Sequence, residues 1–264
     1  MVLFKKLKKS IYKRIYKTPS KYIEWSRRQC LLALKEAELF LNEHNLLYEP
    51  IAVMKQKWPE KEQELFEKCL NHPELHYTQW NKFYGAYNIP ANVADQFKRP
   101  YIVQKLNKYL EGFKGKFVDY GCGTASLTLA WHQCFAPDST LILADIPNIA
   151  QDFVKWRVKN KQNIKVFDVL HDEINYVDVV LCIDVLEHLR NPSEIFNKFD
   201  HKLKKGGLLF LQAPWGGHFT HLDEAPLDWS QNGGRESLAK NYKQIDKLYW
   251  GYEVSGVYKK IKYS

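Results

Sequence analysis

The sequence predicts an α/β protein built on a mostly parallel, doubly wound sheet, and three observations carry that prediction. Lys116–Ala130 (KFVDYGCGTASLTLA) passes from an apolar run through a glycine turn at Gly121 and Gly123 into helical spacing. Four more apolar runs follow, at Thr140–Ala144, Ile164–Phe167, Val177–Asp184 and Gly207–Ala213, with helical segments near Thr124–Cys134 and Ile149–Asn160 between the first of them. Asp119, Asp145, Asp168 and Asp184 stand at the ends of these runs, and ligands of such sheets bind beyond the carboxyl ends of the strands.

Taken in order, Met1–Lys17 places Leu3, Phe4, Leu7, Ile11 and Ile15 on one helical face and Lys5, Lys6, Lys9, Lys13 and Lys17 opposite. Residues 1–28 thus read as a basic amphipathic arm. Its apolar face either packs on the body or on a second subunit, or lies on an anionic membrane surface. Residues 29–94 read as a helical extension. Gln29–Asn45 carries an unbroken apolar periodicity, and Pro59 opens a helix over Glu60–Asn71 that His72-Pro73 ends. Leu75–Asn92 is loop-like and aromatic, either a lid carrying Trp80, Tyr84 and Tyr87 or a packed connector.

Residues 95–264 form the sheet domain. Pro100 starts a helix over Tyr101–Phe113 with a buried face of Ile102, Val103, Leu106 and Leu110. VDVVLCID (177–184) is apolar almost throughout, as a central strand buried on both faces requires. Lys204–Gly206 reads as a turn before the fifth strand, and residues 215–236 as a broken polar segment. Tyr242–Lys260 alternates on either side of Trp250-Gly251 and predicts an antiparallel hairpin that completes seven strands; a helix to Tyr249 followed by one strand is the alternative.

Charge narrows the partners. The net charge is +9, and residues 1–28 hold ten Lys/Arg against Glu24 alone, so the remainder is neutral. A nucleic-acid groove on the body is not indicated. There is no secretory h-region and no apolar run of membrane-spanning length. Five cysteines without a C-x-x-C pair suit a reduced, cytoplasmic protein, peripheral at a membrane if the arm binds one.

The glycine turn alone leaves nicotinamide and adenosylmethionine cofactors both open; Asp119, Asp145 and Asp168 narrow that choice. Glycines let the backbone bend and a ligand lie against it. A dinucleotide fingerprint needs a third glycine where Ser126 stands, and the carboxylate of Asp119 suits a cation, such as the ammonium and sulfonium of S-adenosylmethionine, better than a pyrophosphate. Asp145 follows the turn at the distance of a ribose-binding carboxylate, and Asp168 is placed to meet an adenine amino group. From Phe117 to Pro214 these residues resemble the class I S-adenosylmethionine-dependent methyltransferase family, whose first motif is similar to DYGCGT. That resemblance implies a Rossmann-like fold. It implies cofactor contacts from Asp119, Tyr120, Gly121, Gly123, Asp145, Ile146, Asp168, Val169, Ile183 and Asp184.

A second constellation, Asp184-Val-Leu-Glu187-His188, follows the fourth strand. It resembles the DVLEH stretch of small-molecule methyltransferases, including quinone-biosynthesis O-methyltransferases. It also resembles the E-x-x-E-H of a metal-dependent branch that includes small-RNA 2′-O-methyltransferases. Those metal sites take a further histidine from the loop after strand five, which here holds His218 and His221. The resemblance therefore implies a divalent metal on Asp184, Glu187, His188 and His221, with Asp184 where the RNA enzymes have Glu. The other reading makes Glu187 and His188 helix-positioning residues that touch no metal. His218, His221 and Asp223 are the candidate general bases. The function expected is O-methylation of a small-molecule, sugar or lipid-linked acceptor; the alternatives are RNA 2′-O-methylation and a non-catalytic scaffold.

Overall fold

The computed structural model describes residues 18–69, 82–218 and 220–262. The basic segment 1–17 and Trp80 of the aromatic connector lie outside the described residues. The described residues form a seven-stranded sheet in the order β3-β2-β1-β4-β5-β7-β6. Its strands are β1 (Lys116–Tyr120), β2 (Thr140–Asp145), β3 (Ile164–Asp168), β4 (Val177–Ile183), β5 (Leu203–Ala213), β6 (Tyr242–Asp246) and β7 (Val254–Lys260). The first five pair in parallel and β7 runs antiparallel to both β5 and β6, so the predicted hairpin is present. The apolar run of β4 sits between β1 and β5, where both faces are covered.

The strand order reverses at β1 and β4. Helices β1-to-β2 and β2-to-β3 lie on one face, so the ends of β1 and β4 open a crevice. β5 begins at Leu203, earlier than Gly207, because Leu203 pairs with Val177 before the register slips between Val177 and Val179. The expected turn at Lys204–Gly206 is thus a bulge inside the strand, with Gly206 at φ +85°.

The helices are α1 (Ser20–Glu43), α2 (Ile51–Lys68), α3 (Lys82–Gln96), α4 (Pro100–Leu110), α5 (Ser126–Phe135), α6 (Ile149–Val158), α7 (Pro192–Lys202), α8 (Glu224–Gln231) and α9 (Gly234–Asn241). Several depart from the sequence-based expectation. α1 starts after Pro19, because Tyr22 and Trp25 add themselves to the core-facing stripe of Ala33, Ala37, Phe40 and Leu41. α2 starts after Pro50 and carries Pro59 within it, on an exposed face. α3 occupies most of the expected loop: burial of Tyr84–Ala91 overrides the breaker signals of Gly85 and Pro90. Gly85 has a packing role there, since a Cβ would stand 1.7 Å from Ile149 Cγ2. The segment after Pro214 likewise holds two helices, α8 and α9, because Trp229 is buried against Phe196 at 5.1 Å between ring centroids.

The N-terminal helices share one apolar core with the sheet. Phe40 of α1 meets Phe153 of α6 at 5.3 Å, and Phe117 of β1 meets Trp131 of α5 at 5.5 Å. A second core on the other face gathers Val118, Val180, Phe196, Leu211 and Tyr258. All five cysteines are free thiols. No described helix is long and apolar enough to cross a membrane.

Candidate active site

The site begins at the end of β1, where the chain must turn sharply before α5. Gly121 and Gly123 adopt φ of +70° and +55°, and Ala125 follows at +50°. At Gly121 a Cβ would also lie 2.3 Å from Val185 Cγ2. Gly121→Ala is therefore expected to cost about 1–3 kcal/mol, as left-handed strain and overpacking combine. A thermal melt showing an unchanged midpoint would contradict this.

α3 supplies the turn with partners that no sequence motif announced. Gln96 Oε1 accepts hydrogen bonds from the N–H groups of Ser126 (2.7 Å) and Leu127 (3.2 Å), while its Nε2 donates to the carbonyl of Cys122 at 3.0 Å. Asn92 Oδ1 accepts from the Thr124 hydroxyl at 3.0 Å. These N–H groups at the start of α5 are those a pyrophosphate would need. Gln96 already satisfies them, which disfavours a dinucleotide.

The cleft beside the turn is lined by Gln96, Arg99, Asp119, Gly121, Thr128 and Ile183. Asp119, 6% exposed, points into it. Burial pushes its carboxyl up to about 7, opposed by the Thr128 hydroxyl and aided by the nearby charge of Asp145. Asp145 Oδ2 accepts from Gly123 N at 2.5 Å and Oδ1 from Ile146 N at 2.8 Å, yet burial still lifts it to about 6. Across the cleft the Arg99 guanidinium reaches Asp184 Oδ2 at 2.8 Å and Asp95 Oδ2 at 2.9 Å. A guanidinium and a buried carboxylate in one cleft match the carboxylate and ammonium of an amino-acid moiety, so the donors present fit S-adenosylmethionine.

The other anticipated cofactor residues fall around this cleft in different ways. Asp168 pairs in register with Asp145, and its Oδ1 accepts from Leu170 N at 2.9 Å. Val169 N donates to the Asp145 carbonyl. The Tyr120 ring turns to the opposite face and packs on Phe199 at 5.7 Å, which leaves its backbone for the cleft. Ile183 lines the cleft. Nothing in the sequence singles out Arg99 and Gln96: neither belongs to a local motif, and both lie between the expected loop Leu75–Asn92 and the helix that Pro100 starts.

The two carboxyls make stability depend on pH. A carboxyl whose pKa rises on folding favours the folded state most below its unfolded value of about 4. That contribution is lost as pH rises through about 6 for Asp145 and about 7 for Asp119. The difference in melting temperature between wild type and a variant with both replaced by Asn should therefore shift in the variant's favour as pH rises from about 4 to about 7. A difference independent of pH would contradict the assignment.

The D-x-x-E-H constellation folds differently from the expectation. Asp184 adopts φ +55° and its Oδ1 accepts from Gln212 Nε2 at 2.8 Å, so with Arg99 on Oδ2 it belongs to the cofactor side. Glu187 and His188 lie on a 3-10 turn (Leu186–His188), and His221 reaches them from the loop after β5. One ligand atom from each of these three lies within 4.8 Å of the others. His188 Nδ1 is 3.0 Å from the Thr220 carbonyl and His221 Nδ1 is 2.6 Å from the Gly216 carbonyl. A proton on each Nδ1 turns both Nε2 atoms toward Glu187 Oε1, at 3.8 and 4.0 Å.

Glu187 is fully buried, and neither of its carboxyl oxygens has a hydrogen-bond partner among the described residues. Burial pushes its pKa well up, and the charge of Asp184 adds to that. Burial lowers the pKa of His221. An orphaned carboxylate facing two carbonyl-oriented imidazoles fits a divalent cation such as Zn²⁺. His218 is exposed beside the cluster, its Nδ1 2.8 Å from Thr220 Oγ1 and its ring 5.5 Å from that of His221. Asp223 is exposed at the start of α8, outside the cluster.

Comparison with known proteins meets this geometry at the same residues. A family model described as a methyltransferase domain matches residues 88–254. The chain belongs to this family. It is a class I, S-adenosylmethionine-dependent methyltransferase, and the match begins within α3, which supplies Asn92 and Gln96. A curated relative, the ubiquinone biosynthesis O-methyltransferase of Glaesserella parasuis serovar 5, is 28% identical over 131 residues, 47% of this chain and 54% of the relative. The protein of the same name from Rickettsia bellii (strain OSU 85-389) is 24% identical over 164 residues, 58% of this chain and 61% of the relative. The matches thus span less than two thirds of either relative. Among solved structures, an O-methyltransferase family protein from Burkholderia thailandensis superposes with a TM-score of 0.57 at 14% identity, covering 81% of this chain and 73% of that one. It shares the fold.

Proposed function

We propose that this methyltransferase acts on a hydroxyl oxygen of a small-molecule, sugar or lipid-linked acceptor, beside a divalent-cation site of Glu187, His188 and His221. The observation that carries this reading is the orphaned carboxyl of Glu187 between two oriented histidines, immediately after a strand end whose Asp184 faces the cofactor cleft. The names of the two curated relatives support oxygen as the atom methylated.

In this reading Arg99 holds the cofactor's carboxylate and Asp119 its ammonium. Asp145 takes the ribose hydroxyls, and Asp168 meets the adenine amino group. Gln96 and Asn92 keep the glycine turn in shape for all of them. A cation bound by Glu187, His188 and His221 would lower the pKa of an acceptor hydroxyl. S-adenosylmethionine, when bound, would supply an electrophilic methyl group to the acceptor oxygen, with the carbon–sulfur electron pair leaving on sulfur. His218, the exposed imidazole beside the cluster, would take the hydroxyl proton. Because the sulfonium is already activated, alignment of oxygen, carbon and sulfur provides much of the acceleration.

The test is the full chain with methyl-labelled cofactor, offered catechols, monophenols, sugars and a short RNA. Label in a hydroxyl compound, lost with EDTA and restored by Mg²⁺ or Zn²⁺, is the expected result. Label in RNA alone, or transfer indifferent to EDTA, would contradict the proposal.

A further inference from the structure

α1 has two faces with opposite partners. Its inner face, Ala33, Ala37, Phe40 and Leu41, is buried in the core. Its outer face exposes Leu31 (64%), Leu32 (48%) and Leu39 (54%). At 100° per residue these leucines fall in the same outward arc as Lys21, Arg28 and Lys35, with Arg27 at its edge. None of those four cations forms an ion pair with a carboxylate among the described residues. Of the acids of the helix, Glu24 lies within that arc and Glu38 at its edge. Glu36 is bound by Arg157 (2.6 Å) and Glu43 accepts from Trp156 Nε1 (2.7 Å), leaving Glu24 and Glu38 on the exposed side.

We propose that the outer face of α1 is a docking surface for an anionic lipid bilayer. Leucines bracketed by long cationic side chains can enter the headgroup region while the cations reach up to lipid phosphates. The chain preceding α1 adds seven Lys/Arg and no Asp or Glu within residues 1–17, so positive charge is concentrated at this end of an otherwise neutral protein. A second copy fits the face poorly. Symmetric contact would set Arg28 and Lys35 against their own kind, and three leucines supply far less than the roughly 800 Å² per partner of a stable interface.

The same helix is tied to the cofactor turn. Arg157 Nε donates to Glu36 Oε2 at 2.8 Å, and its Nη1 donates to the Thr124 carbonyl and Ser126 Oγ, both at 3.2 Å. A helix is only about 10 Å across, so docking by α1 holds the glycine turn close to the bilayer surface. The inference does not depend on which atom is methylated or on the cation site.

The test is flotation of the full chain with phosphatidylcholine vesicles and with vesicles containing phosphatidylglycerol. The protein should float with the anionic vesicles, and binding should weaken as salt is raised. Leu31→Ser/Leu32→Ser/Leu39→Ser should lower the partition coefficient at least about tenfold. Arg28→Glu/Lys35→Glu should lower it as well. Unchanged S-adenosylhomocysteine binding in both variants establishes that they are folded. Equal flotation of the leucine variant and wild type overturns the proposal. So does equal binding to both vesicles, or a wild type that stays free of vesicles, whether monomeric or as a dimer in sedimentation.

Discussion

Leucine at Glu187 is expected to raise the stability of the EDTA-treated protein by about 1–3 kcal/mol while lowering methyl transfer about a hundredfold or more. The two effects have one source. Both oxygens of Glu187 are buried without a hydrogen-bond partner among the described residues, a cost that an apolar side chain of similar size removes. The same orphaned oxygens are what a cation would use, with His188 and His221 oriented by the carbonyls of Thr220 and Gly216. A residue that serves only to position the 3-10 turn would show a different pattern, with stability and activity falling together. Thermal melts in EDTA and label transfer with metal restored separate the two. A lower melting temperature with activity retained would contradict the assignment.

Alanine at Asp200 should cost about 3–5 kcal/mol, and the melting temperature should fall by roughly 6–20 °C. Asp200 and Lys260 are each 2% exposed and form an ion pair at 3.2 Å. Asp200 also accepts from Tyr242 Oη at 2.5 Å and from Asn241 Nδ2 at 3.1 Å. Removing the carboxylate leaves the buried Lys260 ammonium without a counter-charge, with only the Asp200 carbonyl as partner, and takes the acceptor from the Tyr242 hydroxyl, in a network that fastens the β6–β7 hairpin to α7. Pairing Asp200→Leu with Lys260→Met should recover much of the loss, because the stranded charge goes with its partner. Equal destabilisation by the single and double substitutions, read from denaturant midpoints, would show that packing and not charge dominates.

The sheet was legible because its strands are encoded locally. β4 is a run of apolar residues that only a strand buried on both faces accommodates, and Asp119, Asp145, Asp168 and Asp184 fall at or beside strand ends. α3 was not legible, because Gly85 and Pro90 are local breakers and the burial of Tyr84, Tyr87 and Ile89 that outweighs them is a tertiary effect. Gln96, beyond the expected loop Leu75–Asn92, has no local signal because its role depends on meeting α5 across a long stretch of chain. In the D-x-x-E-H stretch the spacing alone grouped Asp184 with Glu187 and His188. The left-handed conformation of Asp184, which turns it toward Arg99 and Gln212, has no sequence signature in a non-glycine residue.

We propose that Arg99, Asp119 and Asp145 form an S-adenosylmethionine cleft around the glycine turn. Calorimetric titration of the full chain with S-adenosylhomocysteine tests it most directly. Saturable one-to-one binding is expected, weakening about tenfold or more in Asp145→Ala and in Arg99→Ala, each losing charge-assisted hydrogen bonds to the ligand. Folded protein that takes up no ligand, or binds it equally well without the Asp145 carboxylate, would contradict it.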